Sequence, residues 1–351
     1  MAIGFAYFAG ALQHSALVRN YAATGVLAKW VTEEDCENFL ARTSATYQQF
    51  RELSREFEVK DPLYKKTEFN LLNKRPLIAS GKELLVPVPR FLAYRVSEGI
   101  YFDIMDLMSD PGGKANPFLS YFGRLFEEYV GKLLKWTFGE DNVIHEPLYG
   151  KPQRGGPDWI VLDGQTALLF ECRTSRLRLD SKVYGQQADL IEDAKRIFLE
   201  TLSKYSEKVE DLQTGKAGVN VRDIGRFERV IVTYDPLYLE SYFRNIAAEE
   251  AAKGGVPYSN DYHLIGIADL EVLSAWNNSN SIQSVLFERS RQVANGSGDD
   301  FNAFVRRYSR EHGLATGHPL LQQVQDEFFA ARFDLEAQVS EAPDSSELAG
   351  A

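Results

Sequence analysis

The chain has 351 residues, 44% of them apolar and 12% aromatic, and its formal net charge is −11. This composition is typical of a globular protein, and the acidity argues mildly against tight non-specific binding to nucleic acid without excluding a local basic site. No apolar run reaches the roughly 18 residues that a membrane-spanning helix needs. The two cysteines, Cys36 and Cys172, form neither a disulfide framework nor a zinc cluster, so we expect a cytoplasmic protein without a membrane partner.

Residues 1–115 carry no catalytic motif. Thr32, followed by three acidic residues, is typical of a helix start, and apolar side chains at helical spacing extend the predicted helix over 32–58. Residues 76–103 mix apolar runs with prolines, which favours short strands or an extended segment that includes Tyr101-Phe102. We expect a mostly helical region that serves recognition, or that binds a protein partner or a second copy of the chain.

The next predicted element is an amphipathic helix over 117–138. Its apolar side chains follow the 3.6-residue period and form one stripe: Leu119, Phe122, Leu125, Phe126, Tyr129, Val130, Leu133 and Leu134. At about 100° per residue, Glu127 lies at the margin of this stripe and Glu128 points nearly opposite to it. Glu127 is therefore the glutamate of this helix that can approach a buried site.

A strand is predicted over 142–149, where His145 and Glu146 are neighbours. Successive side chains of a strand face opposite ways, so these two residues are not expected to share one metal site. We interpret His145 as a structural residue. Glu146 is a reserve candidate for a metal ligand, should Glu127 prove to be misplaced.

An Asp-Gly pair, Asp163-Gly164, separates two apolar runs, which is a strong signal for a β-hairpin. The two strands are predicted at 158–163 and 166–173. In the second strand Glu171 and Arg173 share one face, because they are two residues apart. A carboxylate and a guanidinium therefore emerge together at the end of a buried strand.

Asp158 begins the first strand of this hairpin and can approach Glu171 and Arg173. Two carboxylates and a cation on one small patch suit a divalent metal and a phosphodiester. Pro157-Asp158, a spacer and then Glu171-x-Arg173 resemble the signature of the PD-(D/E)XK phosphodiesterase superfamily, which includes restriction endonucleases. The resemblance covers residues 117–275, and Arg173 stands where that superfamily usually has a lysine.

The resemblance implies that Glu127, Asp158 and Glu171 bind Mg²⁺ or Mn²⁺, with the backbone carbonyl of Cys172 as a further ligand. In this superfamily the lysine is thought to position or activate the attacking water. Arginine keeps the positive charge but does not release a proton at physiological pH. Arg173 would therefore orient water and stabilise developing charge, and would be a poor general base.

A basic stretch over 173–182 follows these residues directly. Arg176, Arg178 and Lys182 lie there with only Asp180 opposing them, and such a patch would bind the phosphate backbone of a nucleic acid. The alternative interpretation is a solvated loop after a strand.

A long helix is predicted over 183–205, with Gln187 on its buried side near the site. A glutamine at this place resembles a superfamily motif that contacts the substrate or orders the site. Two buried strands follow at 229–234 and 263–268, with a helix between them at 236–253.

From residue 117 onward the predicted elements are helix, three strands, helix, strand, helix and strand. The pattern alone predicts an α/β or α+β fold with a mixed sheet, and the resemblance implies the αβββαβ core of restriction-endonuclease-like proteins. We expect a nuclease-like domain over 116–280 and a helical extension over 281–335. Residues 336–351 have four acidic side chains and no basic one, which predicts a solvated tail.

Two functions fit this sequence. The first is a metal-dependent nuclease that hydrolyses phosphodiester bonds of nucleic acid, and DNA is the expected substrate in preference to RNA. Bacterial genome defence is a setting suggested by analogy of fold. The second is a non-catalytic module for nucleic-acid binding or assembly, in which Arg173 has ended hydrolysis. The pair Asp158 and Glu171 favours the nuclease, because a dead site has no physical need to keep two like charges together.

Overall fold

The structure is a computed structural model that describes residues 16–19, 32–61, 65, 69–81, 83–109, 116–150, 154–237, 240–254, 261–276, 282–294, 300–314, 317–324 and 326–327. The chain divides into two units, one ending at Leu119 and the other beginning at Ser120. Both mix helices with a sheet, so the fold is mixed α/β as predicted. Among the described residues, no helix is long and apolar enough to cross a membrane. The predicted acidic tail over 336–351 lies outside these residues.

The first unit combines four helices and four strands among its described residues. They are β1 Ala16–Arg19, α1 Glu33–Thr43, β2 Ser44–Thr46, α2 Tyr47–Glu56, β3 Leu77–Ser80, β4 Glu83–Val86, α3 Pro89–Val96 and α4 Ile100–Leu107. The strands form one sheet in the order β1-β4-β3-β2, in which β2 pairs with β3 in parallel and the other neighbours are antiparallel. A small apolar core lies between this sheet and the helices: Phe39, Leu77, Leu84, Val86, Leu92 and Val96.

Three sequence predictions for this unit need correction. The helix predicted over 32–58 is two helices, because Thr46 begins a new one by exchanging hydrogen bonds with Gln49 in a capping box. Extended structure at Tyr101-Phe102 is wrong, since both residues lie in α4. Extended structure at Pro89 is also wrong, because this proline occupies the start of α3, where its missing N–H costs nothing.

The second unit is built on a mixed sheet flanked by helices. Its elements are α5 Pro117–Phe138, β5 Val143–His145, β6 Leu148–Tyr149, β7 Arg154–Gly155, β8 Trp159–Asp163, β9 Thr166–Arg173, α6 Leu179–Tyr184, α7 Gln187–Ala194, α8 Glu200–Gln213, β10 Arg226–Thr233, α9 Glu240–Gly254, β11 Tyr262–Gly266, α10 Ile267–Ala275, α11 Ile282–Ala294 and α12 Phe301–His312. The sheet order is β11-β10-β9-β8-β5. Strands β9, β10 and β11 are parallel, and β8 is antiparallel to β9 and β5. The predicted mixed sheet is confirmed.

The central strand β9 sends its side chains alternately into two apolar cores. Leu168 and Phe170 pack with α5 and α10 on one side of the sheet, and Ala167 and Leu169 pack with α7, α8 and α9 on the other. Cys172 continues the first set as a partly buried residue. The alternation predicted for this strand is therefore confirmed.

The connection between β9 and β10 consists of three helices, whereas one helix was predicted over 183–205. Gly185, with φ +57°, adopts the left-handed conformation that ends α6. A π-helical turn, Lys195–Leu199, then joins α7 to α8, which runs beyond the predicted end to Gln213. The described part of the predicted extension over 281–335 also packs into the unit, because α11 and α12 bury Val285, Leu286 and Phe304 in the first core.

Candidate functional site

Asp158 lies at the entrance of β8 and is tied to the neighbouring strand. Its Oδ2 accepts a hydrogen bond of 2.7 Å from the backbone N–H of Cys172. The antiparallel register, in which Trp159 pairs with Phe170, brings the start of β8 to the end of β9. Among the described residues, Oδ1 of Asp158 has no hydrogen-bond partner, so one carboxylate oxygen is available to a ligand.

Glu171 is the most buried carboxylate of the site, with 2% of its surface exposed. Its Oε2 accepts from Nη2 of Arg173 at 3.1 Å, and its Oε1 accepts from Nζ of Lys208. Burial and the negative charge of Asp158 raise the pKa of Glu171 above its ordinary value, against the opposing charges of Lys208 and Arg173. Asp158 and Glu171 are thus brought together as the sequence predicted.

Lys208 is the residue that the sequence prediction missed. Besides its bond to Glu171, Nζ donates to the carbonyl oxygen of Gly156 at 2.8 Å, and the side chain is 17% exposed. Thr201, Tyr205 and Lys208 recur at i, i+4 and i+7 of α8, a spacing that aligns them on one face. The available signal was a lysine on the buried stripe of this helix, but the predicted helix ended before it.

Arg173 is held on several sides by the protein itself. Its Nε and Nη2 donate to Oγ1 of Thr201 at 2.9 and 2.6 Å, and Nη1 donates to the carbonyl oxygen of Cys172 at 3.0 Å. Nη1 also lies 4.0 Å from Oδ2 of Asp158. The Cys172 carbonyl, predicted as a metal ligand, is therefore already a hydrogen-bond acceptor.

Glu127 on α5 is partly buried and lies close enough for its charge to act on Glu146 and Cys172. Glu128 is exposed, so the predicted difference between these two glutamates is confirmed. Oε1 of Glu127 lies 2.8 Å from Nε2 of His145. Trp159 fixes the same turn, since its Nε1 donates to the backbone carbonyl of Glu127 at 2.9 Å. His145, interpreted as a structural residue, is 58% exposed, lies beside Glu127, and packs its ring on Trp159 with the ring centroids 4.5 Å apart.

Glu146 is a fourth carboxylate in this region. Its backbone N–H donates to the carbonyl oxygen of Asp158 at 2.9 Å, and burial, Asp158 and then Glu127 raise its pKa. A Cβ on Gly155 would lie only 2.0 Å from Oε1 of Glu146. A side chain at position 155 would therefore displace the carboxylate of Glu146 from its present position.

The oxygen-rich site has the donors that Mg²⁺ or Mn²⁺ prefer, although they are not gathered into a ready-made cage. In the part of the chain that the structure describes, no three His, Cys, Asp or Glu side chains converge as a metal-binding group. Mg²⁺ usually takes one or two carboxylates and completes its shell with waters and substrate oxygens. Asp158 and Glu171 fit that requirement in number and in chemical type.

The predicted basic patch is largely neutralised by acidic residues from other elements. Arg178 pairs with Asp193 and Glu192, each at 3.0 Å. Arg176 and Lys182 both pair with Asp235, at 3.4 and 3.7 Å. The expectation of a patch opposed by Asp180 alone is therefore wrong, because α7 and the end of β10 supply the balancing charges.

Gln187 is exposed at the start of α7. The prediction that it lies on the buried side is wrong, because α7 begins at this residue instead of continuing an earlier helix. Its exposed amide contributes nothing to the order of the carboxylate site among the contacts of the described residues.

Comparison of the sequence with models of known protein families found no match, and comparison with curated proteins found none either.

Proposed function

We propose that this protein is a metal-dependent nuclease that hydrolyses phosphodiester bonds through a site built from Asp158, Glu171 and Lys208. The observation that carries the proposal is the ammonium of Lys208 on the carboxylate of Glu171. The local sequence motif has arginine where the PD-(D/E)XK superfamily usually has lysine, and Lys208 supplies that amine from α8. The site then has two carboxylates and a lysine at the end of one buried strand.

The fold supports the same proposal. A helix, α5, precedes three sheet strands, β5, β8 and β9, and helices then alternate with β10 and β11. This succession agrees with the αβββαβ core that the resemblance implies, with the small β6–β7 hairpin as an addition. Asp158 and Glu171 lie where β8 begins and β9 ends, so both carboxylates are at the same end of these neighbouring strands.

The residues divide the chemistry as follows. Asp158 and Glu171 would hold Mg²⁺ or Mn²⁺, with Glu127 and the Cys172 carbonyl as further oxygen donors. The bound cation would supply charge to offset that of the phosphate and would lower the pKa of a water. The ammonium of Lys208 has three N–H groups. Two of them donate to Gly156 and Glu171, which leaves one N–H for a water or a phosphate oxygen.

One observation favours the second function, a non-catalytic module for nucleic-acid binding or assembly. Both oxygens of Glu171 and the carbonyl of Cys172 already accept hydrogen bonds from Lys208 and Arg173. A site that neutralises itself in this way has less need of a metal. Metal binding combined with metal-dependent cleavage therefore discriminates between the two functions.

The test combines titration calorimetry with Mn²⁺ and cleavage assays on labelled single- and double-stranded DNA, followed by RNA. The nuclease proposal expects Mn²⁺ binding that Asp158→Asn abolishes, together with cleavage that needs the metal. Mn²⁺ binding without cleavage of any of these substrates would support the non-catalytic module. A protein that neither binds Mn²⁺ nor cuts would remove the nuclease proposal.

A further inference from the structure

The side chain of Arg173 is 30% exposed and that of Lys208 is 17% exposed, but the guanidinium has far more of its N–H groups occupied by protein acceptors. Arginine has five N–H donors in a rigid fork. Four of them are occupied: two by Thr201, one by the Cys172 carbonyl and one by Glu171. The fork therefore has little freedom to follow a substrate.

Thr201 is the anchor of this fork. Its side chain is 6% exposed, and its hydroxyl oxygen accepts from both Nε and Nη2 of Arg173, which uses the two lone pairs of that oxygen. Thr201 stands in the first turn of α8, directly after the π-helical turn Lys195–Leu199. Such turns alter the angular position of the residues that follow them and are frequent at functional sites.

We propose that Arg173 is a positioning residue, which Thr201 locks in place so that its fork orients Glu171, and that Lys208 is the cation that meets the substrate. This inference rests on the proposed nuclease function and assigns different work to the two cations of the site. Thr201 then acts through Arg173 without contact to the substrate. Groups that orient a metal ligand in this way commonly contribute 10- to 100-fold to metal affinity or activity.

The experiment compares Thr201→Val, which removes the acceptor but keeps the shape, with Thr201→Ser, which keeps the hydroxyl. Thr137→Val is the matched control, because Thr137 is 5% exposed and its hydroxyl donates only to Leu133 within α5. Three quantities are measured: Mn²⁺ affinity by calorimetry, and kcat and KM for DNA cleavage. The expected result for Thr201→Val is a loss of about 10- to 100-fold in Mn²⁺ affinity and kcat, with KM for DNA unchanged and with Thr201→Ser close to wild type.

Two further variants separate positioning from direct stabilisation of charge. Arg173→Lys keeps the charge but cannot reproduce the fork, so it is expected to lose as much as Thr201→Val. In the Arg173→Met background, Thr201→Val is expected to have no additional effect, because residues that act as one unit are not additive. Full activity of Arg173→Lys, or equal effects of Thr201→Val and Thr137→Val, would overturn the inference.

The metal titration separates failure of this inference from failure of the proposed function. If the wild type binds Mn²⁺ and Thr201→Val binds it more weakly, but no substrate is cut, the nuclease proposal falls together with the assignment of Lys208 to the substrate, and the role of Thr201 in orienting Glu171 stands. If the wild type cuts DNA and Thr201→Val cuts it equally well, only the inference falls. If no Mn²⁺ binds and no substrate is cut, both are overturned.

Discussion

Lys208 on α8 donates a hydrogen bond to the carboxylate of Glu171 on β9, 37 positions away in the chain. The same ammonium donates to the carbonyl oxygen of Gly156, immediately before Pro157-Asp158. One lysine therefore connects the loop that presents Asp158 with the strand that presents Glu171. The contact joins the three groups on which the proposed function depends.

Replacing Lys208 with methionine is expected to lower kcat for metal-dependent cleavage by about 10²- to 10³-fold, the usual effect of removing one preorganised charge-stabilising group. Lys204→Met is the matched control, since Lys204 lies one turn earlier on α8 and is exposed. Single-turnover cleavage assays measure both variants. Equal rates for the two variants would mean that the Lys208–Glu171 contact has no catalytic role.

Neutralising the carboxylates is expected to separate activity from stability. Asp158→Asn and Glu171→Gln should each abolish cleavage. Because the pKa of Glu171 is raised by burial and by Asp158, its ionised form costs folding free energy at neutral pH. Glu171→Gln should therefore leave the free energy of unfolding unchanged or increase it, as measured by urea denaturation at pH 7. An inactive variant that is also clearly less stable would contradict this account.

Glu127→Gln is expected to weaken Mn²⁺ binding more than Glu128→Gln, because only Glu127 faces the carboxylate site. The affinity should fall by about 10- to 100-fold for Glu127→Gln and stay near wild type for Glu128→Gln. Calorimetric titration of both variants provides the comparison. Equal affinities would direct attention to Glu146 as the third carboxylate of the site.

Alanine substitutions at two glycines of α5 are expected to change the free energy of unfolding in opposite directions. A Cβ on Gly131 would lie 2.1 Å from Cζ2 of Trp159, whereas a Cβ on Gly123 would meet nothing within 4 Å. Gly131→Ala should destabilise the unit by about 1–3 kcal/mol, because the buried indole cannot move without losing its bond to Glu127. Gly123→Ala should stabilise it by about 0.4–1 kcal/mol, because alanine lowers the conformational entropy of the unfolded chain. Urea denaturation of both variants tests the contrast.

Stability at acid pH is expected to depend on Asp193, which is fully buried. Although burial opposes its ionisation, hydrogen bonds from Ser181, the backbone of Arg178 and the side chain of Arg196 lower its pKa below the ordinary 3.8. A depressed carboxyl pKa contributes stability that is complete above the unfolded value and is lost as pH falls through the folded value. This contribution should therefore begin to fall below about pH 4 and be lost only at lower pH, as the folded protein takes up the proton.

Asp193→Asn tests that dependence. This substitution should lower the free energy of unfolding by roughly 1–3 kcal/mol at pH 7, because the buried donors lose part of their acceptor. It should also flatten the fall in stability between pH 5 and pH 2, about the range over which such a carboxyl titrates. Glu192→Gln is the control, since it removes an exposed partner of Arg178, and surface ion pairs contribute little. Urea denaturation across this range compares them.

The local geometry of the carboxylate strand could be predicted from the sequence. The two-residue period of β9 places Glu171 and Arg173 on one face and Cys172 on the other, because successive side chains of a pleated strand point to opposite faces. The Asp-Gly turn sets the antiparallel register that brings Asp158 to the end of β9. The helical period of α5 likewise turns Glu127 inward and leaves Glu128 in solvent.

Packing between elements, in contrast, sets which charged groups meet. Lys208 and Thr201 reach the site because α8, reset by the π-helical turn, packs against β9, and no periodicity within either segment encodes that contact. Asp193 and Asp235 neutralise Arg178 and its neighbours for the same reason, since Coulomb interactions depend on distance in space rather than along the chain. Local sequence periodicity thus sets the face that each side chain takes on its own helix or strand, whereas the contacts between helices and strands set its partners.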